Sequence, residues 1–471
     1  MSPKPSAKTH FGSRLYAIST ALVMAASVCT TASAQRVSPI AAPPGSVQHR
    51  EGVGGFGYAL PDTIYFPSNS VERAEDAGKF AHTNYVLRTT KGAPPSPMVN
   101  PSLTEAETPA SLGCVYRVGP AYTGCNPATG GTLHPVGGWG AIALVDAFDD
   151  PAAATDISTF SSHFGLPAAN FTKVYANGNR DCSTPPRDTG WALEEALDIE
   201  WAHAMAPSAK IYLVEACSNS NTDLFYAETV AAGLVAAAGG GDVSNSWGEG
   251  EFSGETSYDH YFHYNQYPQV SDITFFASAG DSGCGAAYPS SSPWVVSAGG
   301  TTINRDSGGN FASESCWAGS GGGASSQETW SNTFSGGNTG AWADFQYPIF
   351  GESSRATPDL AFDADPASGV YVYSQYNGGW YIVGGTSVAS PSLAGIVNNA
   401  GNRLGSYFLP PAHAAAYLNN EENNLLYSQL PAVNARSANF YDVTAGSNGC
   451  FVGRSWDYCT GVGSPRGLLG K

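Results

Sequence analysis

Short apolar, β-branched runs alternate with longer stretches of helical periodicity through most of this chain. "GAIALVDAF" (140–148), "AKIYLVEA" (209–216), "GDVSNSWG" (241–248), "ITFFASAGD" (273–281) and "WVVSAGGTT" (294–302) read as strands. Between several of them, "DTGWALEEALDIEWAHAMAP" and "TDLFYAETVAAGLVAAAG" read as helices. Strands alternating with helices imply right-handed crossovers, hence an α/β fold with a mostly parallel central sheet flanked by helices. Ligands of such sheets sit at the carboxyl ends of the strands. Asp146, Ser246-Trp247 and Asp281 fall at or just after such ends, and Ser387 opens a helix.

The first 107 residues have a different texture. Lys4, Lys8 and Arg14 precede an apolar run from Leu15 to Cys29, and Ala32-Ser33-Ala34 fits the small-x-small rule for signal peptidase. Residues 1–34 are therefore expected to be a signal peptide, with the exported chain starting at Gln35. Residues 35–107 are rich in Pro, Ser, Gly and Thr, and "KGAPPSPMVNPSLTEAETP" reads as an extended linker. This segment is expected to be a short, poorly structured propeptide or linker, and residues 108–471 to form the main domain. Gly-rich "WAGSGGGASSQETW" (317–330) reads as a surface loop or turn cluster. It precedes no helix carrying Lys-Ser/Thr, which argues against phosphate binding.

Composition narrows the classes. Charged residues are scarce at 13% and the formal charge is −18, which becomes more negative when the three N-terminal cations leave. Such a surface disfavours nucleic acid and anionic membranes as partners. No later stretch is apolar enough to span a bilayer. With Cys29 in the signal, eight cysteines remain, an even number that suits disulfides in an exported protein. Proximity in sequence favours the pairs 114–125, 182–217, 284–316 and 450–459. Metal-ligand spacings of the C-x-x-C or H-E-x-x-H kind are absent. His260 and His263, in "YDHYFHYNQY", read as part of an amphipathic helix burying its Tyr and Phe face.

Three motifs carry chemistry. In "GGTSVASPSLAG" (384–395), Gly384 and Gly385 allow a sharp turn, and Ser387 then sits at a helix N-terminus, where developing negative charge is favoured. A serine hydroxyl needs a base to become a nucleophile. Glu194 and Asp198, four apart on a largely apolar helix, project from one face. Asp281, ending "FFASAGD", suits a carboxyl kept protonated to donate a hydrogen bond to an oxyanion.

"EEALD", "SAGDSG" and "GGTSVASP", in that order, resemble the sedolisins, the serine-carboxyl peptidases. "TPASLGCVY" (108–116), "NSWG", "YPSSSPWVVSAGGTT" and "PDLAFDADP" extend the resemblance over residues 108–471. It implies a subtilisin-like fold and a secreted, acid-active peptidase acting on proteins or peptides as a monomer. It further implies Ser387 as nucleophile, Glu194 as general base, Asp198 supporting that base, and Asp281 in the oxyanion hole. Asp146 matches a position where related enzymes carry an acid linked to the glutamate. "YDVTAGSNGCFVGRSWDYCTGVGSP" resembles the family's calcium loop. One structural Ca²⁺ is thus expected on the carboxylates of Asp442 and Asp457 and the carbonyls of Val443, Gly453 and Ser455, where Ser455 replaces the usual Gly. The family commonly carries a folded prodomain of well over a hundred residues, on the order of one small domain, and residues 35–107 are shorter. Two rivals remain. One is a neutral subtilisin-like Ser-His-Asp protease using His203, since Asp146, His203 and Ser387 run in that order. The other is an inactive secreted binding protein on the same fold.

Overall fold

The computed structural model describes residues 47–51, 55–59, 64–89, 95–177, 182–262, 273–329, 346, 354–401, 421–428 and 438–471. The signal-peptide expectation falls on residues 1–34, outside the described residues. Among the described residues, no helix is long and apolar enough to cross a membrane.

The expected central sheet is present, with eight strands among the described residues. In spatial order it runs Phe311–Cys316, Val295–Arg305, Ile273–Ser278, Gly241–Asn245, Ala141–Ala147, Lys210–Ala216 and Asn170–Ala176, and Leu360–Asp363 also pairs with Val295–Arg305. Every pairing is parallel except that of Phe311–Cys316 with Val295–Arg305. Side-chain alternation along the central strand shows why both faces are covered. Ile142 and Leu144 pack with Leu193, Leu197 and Trp201 of the helix Thr189–Met205 and with Leu393 and Ile396 of the helix Thr386–Ala400. Ala141, Ala143 and Val145 pack on the other face with Leu224, Ala231 and Val235 of the helix Asn221–Ala237.

The two helices that carry Glu194 and Ser387 pack closely against each other. A Cβ on Gly395 would lie 2.7 Å from Met205 Cβ and 2.9 Å from the Ala202 carbonyl, so only glycine permits this approach. Asn398 Nδ2 donates a buried hydrogen bond to Asp242 Oδ2 (2.9 Å) and so ties the Ser387 helix to the strand Gly241–Asn245.

Four expectations need correction. Residues 64–89 are ordered. Ile64–Phe66 and Val86–Arg88 join an antiparallel sheet with Gly379–Gly384 and Val370–Ser374, and Tyr65, Thr83, Asn84, Tyr85 and Val86 are buried. Their order comes from strands supplied by the main domain, which the local composition does not reveal. The stretch 95–107 bends and turns, with Glu105 N–H donating to the Ser102 carbonyl (3.2 Å), and is pinned by Met98, which exchanges backbone hydrogen bonds with Trp380 (2.8 and 3.0 Å). Within 317–330, Gly323–Thr329 forms a strand paired with Ser354–Thr357, and Ser320 is buried, its hydroxyl accepting from the Gly300 N–H (2.8 Å). Asp259–Phe262 is a 3-10 helix rather than an α-helix, with Phe262 buried; His263 lies outside the described residues.

The fourth correction concerns disulfides. Cys114–Cys125 and Cys182–Cys217 pair as expected, but the others are Cys284–Cys450 and Cys316–Cys459. The C-terminal loop folds back over the loops after the central strands, where Cys284 N–H donates to the Asn448 carbonyl and Cys316 N–H to the Ala445 carbonyl (2.8 Å each). Spatial contact, not sequence spacing, selects the partners.

Candidate active site

The strand Gly379–Gly384 runs into the helix Thr386–Ala400 through Gly385, whose φ of +104° lies in the region that favours glycine. The space there is equally restrictive: a Cβ on Gly385 would sit 2.2 Å from the Asn84 carbonyl oxygen and 2.6 Å from Asp281 Oδ2. This turn presents Ser387 on the first turn of its helix, and its Oγ donates to Glu194 Oε2 at 2.8 Å. The Ser246 carbonyl lies 3.2 Å from the same hydroxyl.

Glu194 and Asp198 come from the helix Thr189–Met205, capped by Asp188, whose side chain accepts from the Gly190 and Trp191 N–H groups. A separation of four residues leaves them about 40° apart around the axis, so both face Ser246 and Ser387. Asp198 Oδ1 accepts the Ser246 hydroxyl at 2.6 Å. Ser246 therefore ties Asp198 to the backbone that borders the nucleophile. Asp146, at the end of its strand, is fully buried, and neither of its carboxyl oxygens has a hydrogen-bond partner among the described residues.

Burial dominates the electrostatics. It raises Glu194 well above the usual carboxyl range, with the charges of Asp198 and Asp146 adding to the shift and the Ser387 hydrogen bond opposing it. Asp198 is raised by burial and then by Asp146, against the Ser246 bond, while Asp146 is raised by burial and by Glu215. Three acids in one desolvated pocket cannot all ionise, so they hold protons between them and titrate as a group.

Asp281 follows the strand Ile273–Ser278 and meets the nucleophile helix at its first residue, Thr386. Its Oδ1 accepts both the Thr386 N–H (2.7 Å) and the Thr386 hydroxyl (2.8 Å). Oδ2, the oxygen nearest Gly385, has no partner among the described residues. Burial lifts this carboxyl to about 7, even though both Thr386 bonds pull it down. A neutral carboxyl with one oxygen engaged by donors can carry its proton on the other, which then becomes a donor.

The four residues read from sequence thus converge, and His203 does not join them. It lies nine residues beyond Glu194, about 14 Å along the helix axis and on the opposite side. Its Nε2 contacts the Pro167 carbonyl at 3.0 Å, and burial lowers its pKa. Sequence reasoning missed Asn84, whose carbonyl accepts the Ser387 backbone N–H at 2.9 Å, and the hydroxyl role of Ser246. The run "NSWG" marked the second position without revealing its bond; nothing local marked the first.

The C-terminal residues expected to hold calcium lie on one loop. Both Asp442 carboxylate oxygens accept the Ser455 N–H (3.0 and 3.3 Å), and Asp457 Oδ2 accepts the Gly453 N–H (3.2 Å). Asp457 Oδ1 takes the Cys459 and Thr460 N–H groups (2.9 and 2.8 Å). Ser455 adopts a φ of +81°, the conformation glycine favours. Among the described residues, no three His, Cys, Asp or Glu side chains converge as a metal set. Two carboxylates supplemented by backbone carbonyls form an all-oxygen donor set that fits calcium's chemistry.

Comparison with known proteins identifies the family and the fold. The family model described as the subtilase family matches residues 189–436. Kumamolisin from Bacillus sp. (strain MN-32) is 30% identical over 355 residues, spanning 67% of this chain and 56% of kumamolisin. Sedolisin from Pseudomonas sp. (strain 101) is 25% identical over 336 residues, spanning 66% of this chain and 53% of sedolisin. The chain thus spans about half the length of the curated relatives it matches. Among solved structures, Pseudomonas sedolisin, a serine-carboxyl proteinase complexed with two molecules of pseudo-iodotyrostatin, superposes with a TM-score of 0.58. That alignment has 22% sequence identity and covers 78% of this chain and 96% of the other, which bears on the fold.

Proposed function

The chain belongs to the subtilase family, in its sedolisin branch of serine peptidases, and from that premise we propose that it hydrolyses peptide bonds with a carboxylate, not a histidine, as the base. The observation that carries the proposal is the 2.8 Å hydrogen bond from Ser387 Oγ to Glu194, together with the position of His203 at Pro167. Ser387 attacks the substrate carbonyl while Glu194 takes its proton. Asp198, held by Ser246, supports Glu194 through the charge and protons that the acids share. The Ser387 backbone N–H and the protonated Asp281 stabilise the oxyanion. Glu194 returns the proton to the leaving amine, and water then releases the acyl group from Ser387.

The base is a carboxylate and one oxyanion donor is an acid, so activity favours acidic solution. The substrates are proteins or peptides, and the enzyme acts as a monomer exported by its N-terminal segment into a compartment that maintains its disulfides. Asp442, Asp457 and the carbonyls of Val443, Gly453 and Ser455 hold one calcium ion, which stabilises the loop clamped by Cys284–Cys450 and Cys316–Cys459. Hydrolysis of a denatured protein from about pH 3 to 8 tests the reading. Turnover confined to the acid range and lost in Ser387→Ala supports it, and a profile that rises through neutrality overturns it.

A further inference from the structure

Glu194 and Glu195 are neighbours on one helix and point to different places. One residue is about 100° of rotation, so while Glu194 reaches Ser387, Glu195 turns toward the ends of the central strands, where it meets Glu215. We propose, resting on the peptidase reading above, that Glu195 and Glu215 are positioning residues. Their hydrogen-bonded carboxyl pair fixes the helix Thr189–Met205 at the rotation that holds Glu194 against Ser387.

Three elements meet at this pair. Asp146 and Glu215 are neighbours in register on the strands Ala141–Ala147 and Lys210–Ala216. Alternation puts both on the face that carries Ile142, Leu144, Ile211 and Leu213, which the helix covers. The loop after the first strand offers one donor to both glutamates: Asp150 N–H donates to Glu195 Oε2 (2.9 Å) and to Glu215 Oε1 (3.1 Å). The two carboxyls also hydrogen-bond each other. On the side nearer solvent, Lys173 Nζ reaches Glu215 Oε1 at 3.1 Å and is anchored on Asp149 Oδ1 (2.6 Å) and the Asp150 carbonyl (2.7 Å). Glu195 and Glu215 are both fully buried. Helix, strand and loop are thus joined through a few enclosed oxygen atoms.

Two carboxylates that accept the same N–H repel each other unless a proton lies between them. Burial raises Glu195 well above the usual carboxyl range, and the charges of Glu215, Asp146 and Asp150 raise it further. Glu215 is lifted by burial to about 8, against the pull of Lys173. The pair therefore keeps at least one proton throughout acid solution, and that proton makes the bond.

The leverage on catalysis is geometric. A Glu194 carboxyl about 6 Å from the helix axis moves about 1 Å when the helix turns by about 10°. A misplacement of about 1 Å costs about 10²-fold in rate. The packing of Leu193 and Leu197 is apolar and non-directional, so it resists such a turn weakly. A hydrogen bond between buried carboxyls is directional and resists it.

The test measures kcat and KM on a peptide substrate at about pH 4, with a thermal melt of each variant to keep the assay below its unfolding range. Glu195→Leu removes the bond and is expected to lower kcat about 10²-fold with KM little changed. In Glu195→Gln the amide donates to Glu215 while its oxygen accepts the Asp150 N–H. This variant is expected to recover at least about tenfold in kcat over Glu195→Leu. Glu195→Asp keeps a carboxyl but withdraws it by one methylene, so its kcat should fall below that of Glu195→Gln. That contrast carries the test if the Leu variant does not fold. A folded Leu variant that keeps its kcat while its melt drops shows a structural role only and overturns the proposal. So does a Gln variant as slow as Leu, or an Asp variant as fast as Gln. Each of these leaves the peptidase reading standing. If the wild type hydrolyses no peptide, the peptidase reading falls and this role falls with it.

Discussion

Replacing Asp281 by Asn and by Ala separates the two things this side chain does. In both Asp and Asn, one oxygen accepts the Thr386 N–H and hydroxyl, bonds of 2.7 and 2.8 Å. The second atom, beside Gly385, is a proton-bearing oxygen in neutral Asp and an NH₂ donor in Asn. Ala removes both functions. Loss of one oxyanion donor costs about 10²–10³ in kcat, about 3–4 kcal/mol, so Asp281→Ala is expected to fall by that factor with little change in KM. Asp281→Asn is expected to stay within about tenfold of the wild type at about pH 4, the scale of one hydrogen bond.

The pH dependence supplies the sharper contrast. Burial pushes the folded carboxyl up to about 7 from its ordinary 3.8. A raised folded pKa means that its contribution to stability is full below the unfolded value and is lost as pH rises through the folded one. Between those limits the wild type loses about 1.4 kcal/mol per pH unit at this residue, about 4 kcal/mol in all. Asp281→Asn has no such loss, and the fall in kcat near neutrality that comes from this group disappears with it. Steady-state kinetics on a peptide substrate from about pH 3 to 8, with kcat and KM resolved, gives the answer. An Ala variant that keeps its kcat at acid pH, or an Asn variant as inactive as Ala at every pH, refutes the assignment of Asp281 to the oxyanion.

Glu228 is buried in the helix Asn221–Ala237, bonded to Asn245 Nδ2 at 3.3 Å and raised by burial to about 8. By the same sign, Glu228→Gln should gain about 3 kcal/mol of stability relative to the wild type on going from about pH 4 to 7, read from denaturant melts at the two pH values. Ser246→Ala deprives Asp198 of its buried 2.6 Å donor and should lower kcat about tenfold while shifting the acid limb of the pH–rate profile, which a purely structural loss would leave in place. Removal of calcium by a chelator should lower the melting temperature. At about a hundredfold excess over Kd the ion contributes about 2.7 kcal/mol, and Asp442→Ala should make the melt insensitive to added Ca²⁺.

Sequence pattern reached the parts of this fold whose causes are local. The strand Ala141–Ala147 and the helices Thr189–Met205 and Thr386–Ala400 each carry their own periodicity. Ser387, Glu194, Asp198 and Asp281 sit in short runs whose glycines and spacing reflect the backbone they need. The parts not legible depend on distant partners. His82–Thr83 and Val86–Arg88 are short strands with no pattern of their own, ordered by partners distant in sequence, Trp247–Gly250 for the first and Ile64–Phe66 and Gly379–Gly384 for the second. Cys284 and Cys316 find Cys450 and Cys459 because the C-terminal loop returns to the ends of the central strands. The Ser246 hydroxyl looks like any strand-end serine until the helix bearing Asp198 packs against it.

The central claim is that a carboxylate activates Ser387, and the most direct measurement compares Glu194→Gln with His203→Ala for hydrolysis of a denatured protein at about pH 4. Gln keeps the size of Glu194 but cannot take the Ser387 proton, so activity should fall by at least about 10²-fold, the lower range for general-base loss. His203→Ala should retain it, since that ring contacts Pro167 and not the nucleophile. Activity that survives in Glu194→Gln and vanishes in His203→Ala would contradict the account.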